Sequence, residues 1–264
     1  MQKPYIRVLG SADWNPTRGN DHSCYTINDT ILVDANAGVV QHLLNSGVDP
    51  CRITTVLFTH LHADHYMGLA PFLHYVRVHL SDHGGLTLVG PKATLRAGYD
   101  RAADYIFYDC ERPHEQVANL PRFVEFEAGG SYDFDGFHLD VIPSDHAVPG
   151  LCYRLNHLES GLSAGFTGDT RRQDLFTQFF RNVDILLHET SFGAQPLDEK
   201  VNESCRHSNV WDAIQVCRDA GVRRLLLTHA HESRRAESLQ AAKTHLDIPV
   251  EWAMPGKVFP FSGE

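Results

Sequence analysis

Residues 60–65 read His-Leu-His-Ala-Asp-His, three imidazoles and a carboxylate within six positions. Neutral imidazole and carboxylate are ordinary ligands of zinc and of other divalent metals. The run follows an apolar, β-like stretch, Thr55–Phe58. In a tight turn after a strand, alternate side chains point the same way. His60 and His62 are therefore expected to face one metal, and Asp64 and His65 a second. Four ligand-type residues at this spacing rarely arise as a chance cluster of solvated polar groups. The chemistry of such a centre is metal-assisted hydrolysis.

Four further apolar runs end in ligand-type residues: His146 in Ser144-Asp145-His146, Asp169 in Gly168-Asp169-Thr170, the pair His188-Glu189, and His229 after Leu225–Leu227. Ligands of open α/β sheets collect outside strand ends, so these residues are expected to converge on 60–65. A carboxylate at Asp169 would bridge two cations, and His229 would complete the second one. Glu189 and His207 form another candidate pair, because a histidine oriented by a carboxylate can donate a proton to a leaving group. Asp34, at the end of Ile31–Val33, is expected to hydrogen-bond a ligand histidine. His22, His42, His114, His138, His157 and His245 show no ligand spacing. His74, His79, His83 and His231 are candidates only for lining the pocket.

The elements that must position these residues are legible as short apolar runs bounded by turns. Strands are expected at Tyr5–Leu9, Cys24–Ile27, Thr30–Val33, Thr55–Phe58, Val124–Phe126, Phe137–Ile142, Cys152–Leu155, Ser163–Phe166, Asp184–Leu187, Leu225–Leu227 and Val258–Phe261, with a hairpin about Asn28-Asp29. Val39, Val40, Leu43 and Leu44 have helical spacing before Gly47, as do Val210, Ala213, Ile214 and Cys217 before Gly221. Ser208 or Asn209 would cap the latter helix. Leu239–His245 is a further, less periodic helix. Stretch 91–123 is the least periodic. Its Tyr99, Tyr105, Phe107 and Tyr108 suggest a helix covering one side of the site. No composition break divides the chain, so residues 1–264 are read as one mixed domain.

Composition narrows the function. The chain has 264 residues, 42% of them hydrophobic, and a formal net charge of −10. That acidity, with no basic run longer than pairs such as Arg234-Arg235, disfavours a nucleic-acid binder. An acidic body with a cationic pocket suits a small anionic substrate better than a long polyanion. Seventeen histidines exceed what a core needs. The six cysteines form no C-x-x-C pair, so neither a Cys-based structural zinc nor a disulfide framework is indicated. No stretch reaches the ~18 apolar residues of a membrane span, and no secretory leader is evident. A soluble, cytoplasmic protein is expected.

At this point the motifs resemble a known family. The chain is similar to the metallo-β-lactamase superfamily, and within it to the ribonuclease Z-like branch of phosphodiesterases. Thr59–His65 matches the signature motif and Phe166–Thr170 the bridging-aspartate motif. Leu186–Thr190 resembles an H-E-A-T segment, His207-Ser208 an H-S-T start, and Leu227–His229 the last ligand motif. Gly10–Thr17 resembles the branch's opening turn, and Leu88–Pro91 its next strand and turn. The resemblance implies an α/β fold arranged as a four-layer αβ/βα sandwich with two divalent metal ions, zinc first, manganese or iron as other choices. It assigns His60, His62 and His146 to one metal, Asp64, His65 and His229 to the other, Asp169 to both, and proton transfer to Glu189 with His207. Asp64 counts with that pair among the catalytic residues.

The chain also departs from ribonuclease Z. That enzyme inserts a long tRNA-gripping arm between the third ligand and the bridging aspartate, whereas His146 and Asp169 are only 23 positions apart. The resemblance is closer to armless cyclic phosphodiesterases, although their extra Cys-rich zinc site is represented here only by Cys24. The expected function is hydrolysis of a small or cyclic phosphodiester by a metal-bridged hydroxide. tRNA 3′-end processing and thioester or lactone hydrolysis are the alternative enzyme readings, and a non-catalytic binding protein is a third class. A homodimer is expected by analogy alone.

Overall fold

The structure, a computed structural model, describes residues 3–80, 83, 85–106 and 119–263. Phe107, Tyr108, Cys110 and His114 lie outside the described residues. The first half of the chain runs β1 (Tyr5–Gly10), β2 (Cys24–Ile27), β3 (Ile31–Val33), α1 (Val39–Asn45), β4 (Thr55–Leu57), α2 (Ala63–Tyr66), α3 (Leu69–Leu80), β5 (Thr87–Pro91), α4 (Leu95–Ile106) and β6 (Arg122–Phe126). The second half runs β7 (Gly130–Phe134), β8 (Phe137–Pro143), β9 (Leu151–His157), β10 (Ser163–Phe166), α5 (Phe176–Phe179), β11 (Ile185–Glu189), α6 (Glu199–Cys205), α7 (Val210–Ala220), β12 (Leu225–Thr228), α8 (Arg235–His245), β13 (Val250–Trp252) and β14 (Val258–Pro260).

The strands form two seven-stranded mixed sheets, in the orders β14-β1-β2-β3-β4-β5-β6 and β13-β12-β11-β10-β9-β8-β7. The sheets face one another across a core that includes Ile6, Val8, Ile31 and Leu57 from the first and Leu139, Tyr153, Phe166 and Leu187 from the second. A second apolar cluster packs α1, α3 and α4 on the outer face of the first sheet. A third packs α5, α7 and α8 on the outer face of the other. Helix, sheet, sheet and helix make the four-layer αβ/βα sandwich. Each large apolar side chain fully buried between layers contributes roughly 1.5–3 kcal/mol.

Local chemistry explains why these segments adopt these forms. Asn28 and Asp29 have φ of 53° and 56°, the pair of positive values that a tight hairpin between β2 and β3 requires. Asp29 then accepts hydrogen bonds from Arg7 and Tyr5 on the neighbouring strand. Helix α7 buries Val210, Ala213, Ile214 and Cys217 on one face. Its start is Asn209, not Ser208, which caps in a reciprocal box with Asp212. Ser208 instead donates to the Thr170 carbonyl.

Several elements depart from the sequence reading. Leu44 of α1 is exposed, so that helix buries a narrower stripe than its spacing suggests. Strands β7 and β13 and helices α2, α3, α5 and α6 are additional to the elements the sequence pattern predicts. β7 is a polar edge strand with alternating exposure, and β13 has three residues. Helix α3 carries Pro71 in its first turn, where proline is tolerated, and has histidines among its apolar residues. In stretch 91–123, α4 buries Tyr99 and leaves Tyr105 exposed. Gly98 of α4 packs against Leu61 and Tyr66 beside the 60–65 motif. No helix among the described residues is long and apolar enough to cross a membrane.

Candidate metal centre and active site

The predicted ligand residues come from five strand ends at one edge of the sandwich. β4 runs on through Phe58-Thr59 to deliver His60, while β8, β10 and β12 deliver His146, Asp169 and His229. β11 ends in Glu189. Parallel pairing of β10, β11 and β12 brings three of these ends side by side. The other sheet is tied on by the Leu151 N–H donating to the Thr59 carbonyl at 2.8 Å and by a hydrogen bond between the Tyr25 and Thr228 hydroxyls.

Two donor groups result. Nε2 of His60 and Nε2 of His146 each lie 3.1 Å from Nδ1 of His62. Nε2 of His65 lies 3.2 Å from Nε2 of His229. Asp64 Oδ2 is 3.5 Å from each of those two nitrogens. Asp169 Oδ2 stands between the groups, 3.6 Å from His60, 3.4 Å from His65 and 3.3 Å from His229. Tetrahedral zinc with bonds of ~2.0–2.1 Å places its ligand atoms roughly 3.3 Å apart. Asp169 Oδ1 is buried and has no hydrogen-bond partner, a costly state for a carboxylate oxygen unless a cation satisfies it. Donor set, spacing and orphaned oxygen all fit a pair of divalent cations.

The surroundings orient these donors. His65 Nδ1 donates to Asp34 Oδ2 at 2.8 Å, and Asp34 also accepts from the Thr59 amide and hydroxyl. Asp34 thus sits where the sequence placed it, behind a histidine. His60 Nδ1 contacts the Thr59 hydroxyl at 3.1 Å. His146 Nδ1 donates to the Arg206 carbonyl at 3.2 Å, and His229 Nδ1 donates to Ser191 Oγ at 2.9 Å. With each Nδ1 engaged, Nε2 is the ring atom left to face the centre. Burial holds His60, His62 and His146 below the usual histidine range, as unprotonated donors. Burial opposes charge on His65 as well, but Asp169 and Asp34 outweigh it and lift that ring well above the range. Burial would likewise raise Asp169, yet His229, His65 and His60 hold it well below the ordinary carboxylate value.

Glu189 and His207 meet beside this centre. His207 Nδ1 donates to Glu189 Oε1 at 2.9 Å and lies 3.9 Å from Asp169 Oδ2. Burial disfavours the imidazolium, but Glu189 outweighs that cost and pushes His207 up to about 10. The pair is therefore a protonated donor in metal-free protein. Alternation along β11 sends His188 the other way, into the outer core, where it is fully buried near Phe176.

A cleft of about 670 Å³ opens over His62, Asp64, Asp169, His207 and His229. His231 lines it. His74 lines a neighbouring apolar cavity, His79 stacks on Tyr75, and buried His83 bonds the Leu73 carbonyl. Sequence reasoning missed Ser191, Trp14 and Arg234, all at this cleft. Ser191 stands two residues past Glu189, on the same face of an extended chain, and that spacing was the available signal.

Two facing mixed sheets with outer helices and a His/Asp centre at the strand ends define the metallo-β-lactamase class of fold. Residues 29–230 match the family described as Beta-lactamase superfamily domain. A ribonuclease Z of Mycobacterium bovis is 32% identical over 215 residues, covering 75% of this chain and 74% of that protein. Among solved structures, the metallo-beta-lactamase fold protein YhfI from Bacillus subtilis superposes with a TM-score of 0.81 at 23% identity, over 98% of this chain and 99% of that one. A diphosphatase from the PhnP family superposes with a TM-score of 0.70 at 17% identity, over 98% and 97%. The chain belongs to the β-lactamase superfamily, in its ribonuclease Z-like branch, and is a hydrolase.

Proposed function

We propose that this chain, residues 1–264 as one domain, is a dinuclear zinc phosphodiesterase for a small or cyclic diester. His60, His62 and His146 would hold one cation, Asp64, His65 and His229 the other, and Asp169 both. Bound cations would supply Lewis acidity and make water acidic enough to attack near neutral pH. Hydrolysis adds water across a P–O ester bond, and the departing alkoxide needs a proton. His207 supplies it, with Glu189 fixing the ring through Nδ1 and leaving Nε2–H for the substrate. The 2.9 Å Glu189–His207 contact beside the Asp/His centre carries this reading, because a thiolate departs without a proton and thioester hydrolysis gives this pair no evident task.

Small size of the substrate is supported by the chain between His146 and Asp169. It is filled by β9 and β10, joined through residues 158–162, which leaves no length for a gripping arm. The 32% identity to a ribonuclease Z favours precursor tRNA as the second reading. Metal-loaded protein should be assayed on cyclic nucleotides, linear diesters and precursor tRNA, together with His207→Ala. The variant should lose roughly 10²–10⁴-fold on alkoxide leaving groups and little on nitrophenolate, which departs without a proton. Equal loss on both, or cleavage of precursor tRNA alone, would overturn the proposal.

A further inference from the structure

A cleft of about 670 Å³ has room for much more than a phosphate and one small ester group. Two of its lining residues have no role in the centre. Trp14 is 76% exposed, yet its loop is held firmly. Ser11 accepts from the His229 amide at 2.9 Å and donates its own amide to Asn20 Oδ1 at 3.0 Å. Buried Asp13 accepts from the Asn15 amide at 3.0 Å. The backbone that carries Trp14 is thus tied down, and the indole presents a water-facing aromatic surface at the mouth of the cleft. Such a surface marks recognition of an apolar, flat group.

Arg234 lines the same cleft, and among the described residues it is the only Lys or Arg to do so. Among the described residues, its guanidinium makes no hydrogen bond or ion pair. Its neighbours differ: Arg235 pairs with Glu232, Arg206 with Asp145 and Arg172 with Asp212. The Arg234 stem lies across Gly193, where a Cβ would come within 3.0–3.2 Å of three of its carbons. A glycine at that position, with φ of 62°, gives the side chain its bed. An unpaired arginine held against a cleft wall, in a chain of net charge −10, is suited to bidentate capture of a phosphate.

We propose that Trp14 and Arg234 form a nucleotide subsite beside the metal centre. The indole stacks a nucleobase, and the guanidinium binds a phosphate other than the scissile one. The preferred substrate is then a nucleotide diester bearing a second phosphate, an inference that rests on the phosphodiesterase reading.

Binding of reaction products tests the subsite without turnover. Adenosine 3′,5′-bisphosphate and adenosine 5′-monophosphate are titrated calorimetrically into metal-loaded protein. Trp14→Ala should weaken both by roughly ten- to a hundred-fold, the usual range for one base–aromatic stack, and Trp14→Phe should restore most of it. Arg234→Gln should weaken the bisphosphate by roughly ten-fold or more and barely change the monophosphate. Unaltered bisphosphate affinity in either variant overturns the subsite, as does equal loss of both ligands in Arg234→Gln. Wild-type hydrolysis of pApA and ApA separates the two levels of inference. Binding as expected with no cleavage of either keeps the subsite and removes the phosphodiesterase reading. Cleavage with affinity indifferent to both residues does the reverse.

Discussion

Ser191 Oγ stands 2.9 Å from Nδ1 of His229 and 2.6 Å from Oε2 of Glu189. The hydroxyl has one proton, which the carboxylate takes, so it must accept the imidazole N–H. One side chain therefore sets the tautomer of a candidate ligand and steadies the proton-donor pair. Ser191→Ala should lower affinity for the cation held by His229 by roughly 10–100-fold, and Ser191→Thr should restore it. Chelator competition with metal counting measures this. Unchanged affinity in the alanine variant would show that the hydroxyl does not orient the ring.

Asp169 is the group shared by both donor sets, with Oδ2 within 3.6 Å of three ring nitrogens. Asp169→Ala should reduce bound metal from two ions per chain to one or fewer, and the melting temperature gained on metal addition should shrink with it. Elemental analysis after gel filtration reads the first and a thermal melt the second. Two ions retained per chain would remove Asp169 from the bridging role.

Much of this was legible in the sequence because the strand-end residues recur beside apolar runs. His60 to His65 is contiguous, so its convergence needs only a turn. Glu189 against His188 follows from strand period two. The parts that were not legible depend on distant surfaces. Only its spacing of two residues from Glu189 marks Ser191 locally, and its bond to a candidate ligand appears once β12 brings His229 beside it. Trp14 reads only as part of the turn Gly10–Thr17 until its loop is seen lying across the strand ends, with Ser11 bonded to His229. Arg234 and Arg235 read as one basic pair, although Arg235 is bonded to Glu232 and Met254 and Arg234 has no polar partner among the described residues. Strand β7 hides its period because it is an edge with charged and glycine residues.

Asp21 fastens the β1–β2 loop to α1. It lies 2.9 Å from His42 Nε2 and 3.2 Å from His22 Nδ1, and accepts from the Gly38 amide at 3.1 Å. Burial would raise its carboxyl, but the bonds to His22 and His42 win and hold it far below the usual range. A depressed folded-state value means the stabilisation is complete above the unfolded value of ~3.9 and is lost as pH falls below it. Asp21→Asn should cost roughly 1–2 kcal/mol at pH 7, allowing for partial exposure. The gap in melting temperature from wild type should close as pH falls from about 4 toward 2. A gap constant across that window would assign the effect to lost packing instead of charge.

Gly168 sets the position of Asp169 through its backbone. Its φ is 56°, in the left-handed region, and a Cβ there would sit 2.8 Å from Cβ of Thr59. Thr59 is the residue that binds Asp34 and precedes His60. A side chain at 168 therefore strains its own turn and pushes on the strand end that delivers the other sheet's histidines. Left-handed backbone at a non-glycine residue costs roughly 1–3 kcal/mol, and the clash adds to it. Gly168→Ala should lower the melting temperature of metal-free protein, and it should also reduce metal affinity because both halves of the centre shift apart. The second effect separates a site-positioning turn from an ordinary one. An alanine variant that melts lower yet binds two ions with wild-type affinity would show that the turn supports the fold without setting the geometry of the centre.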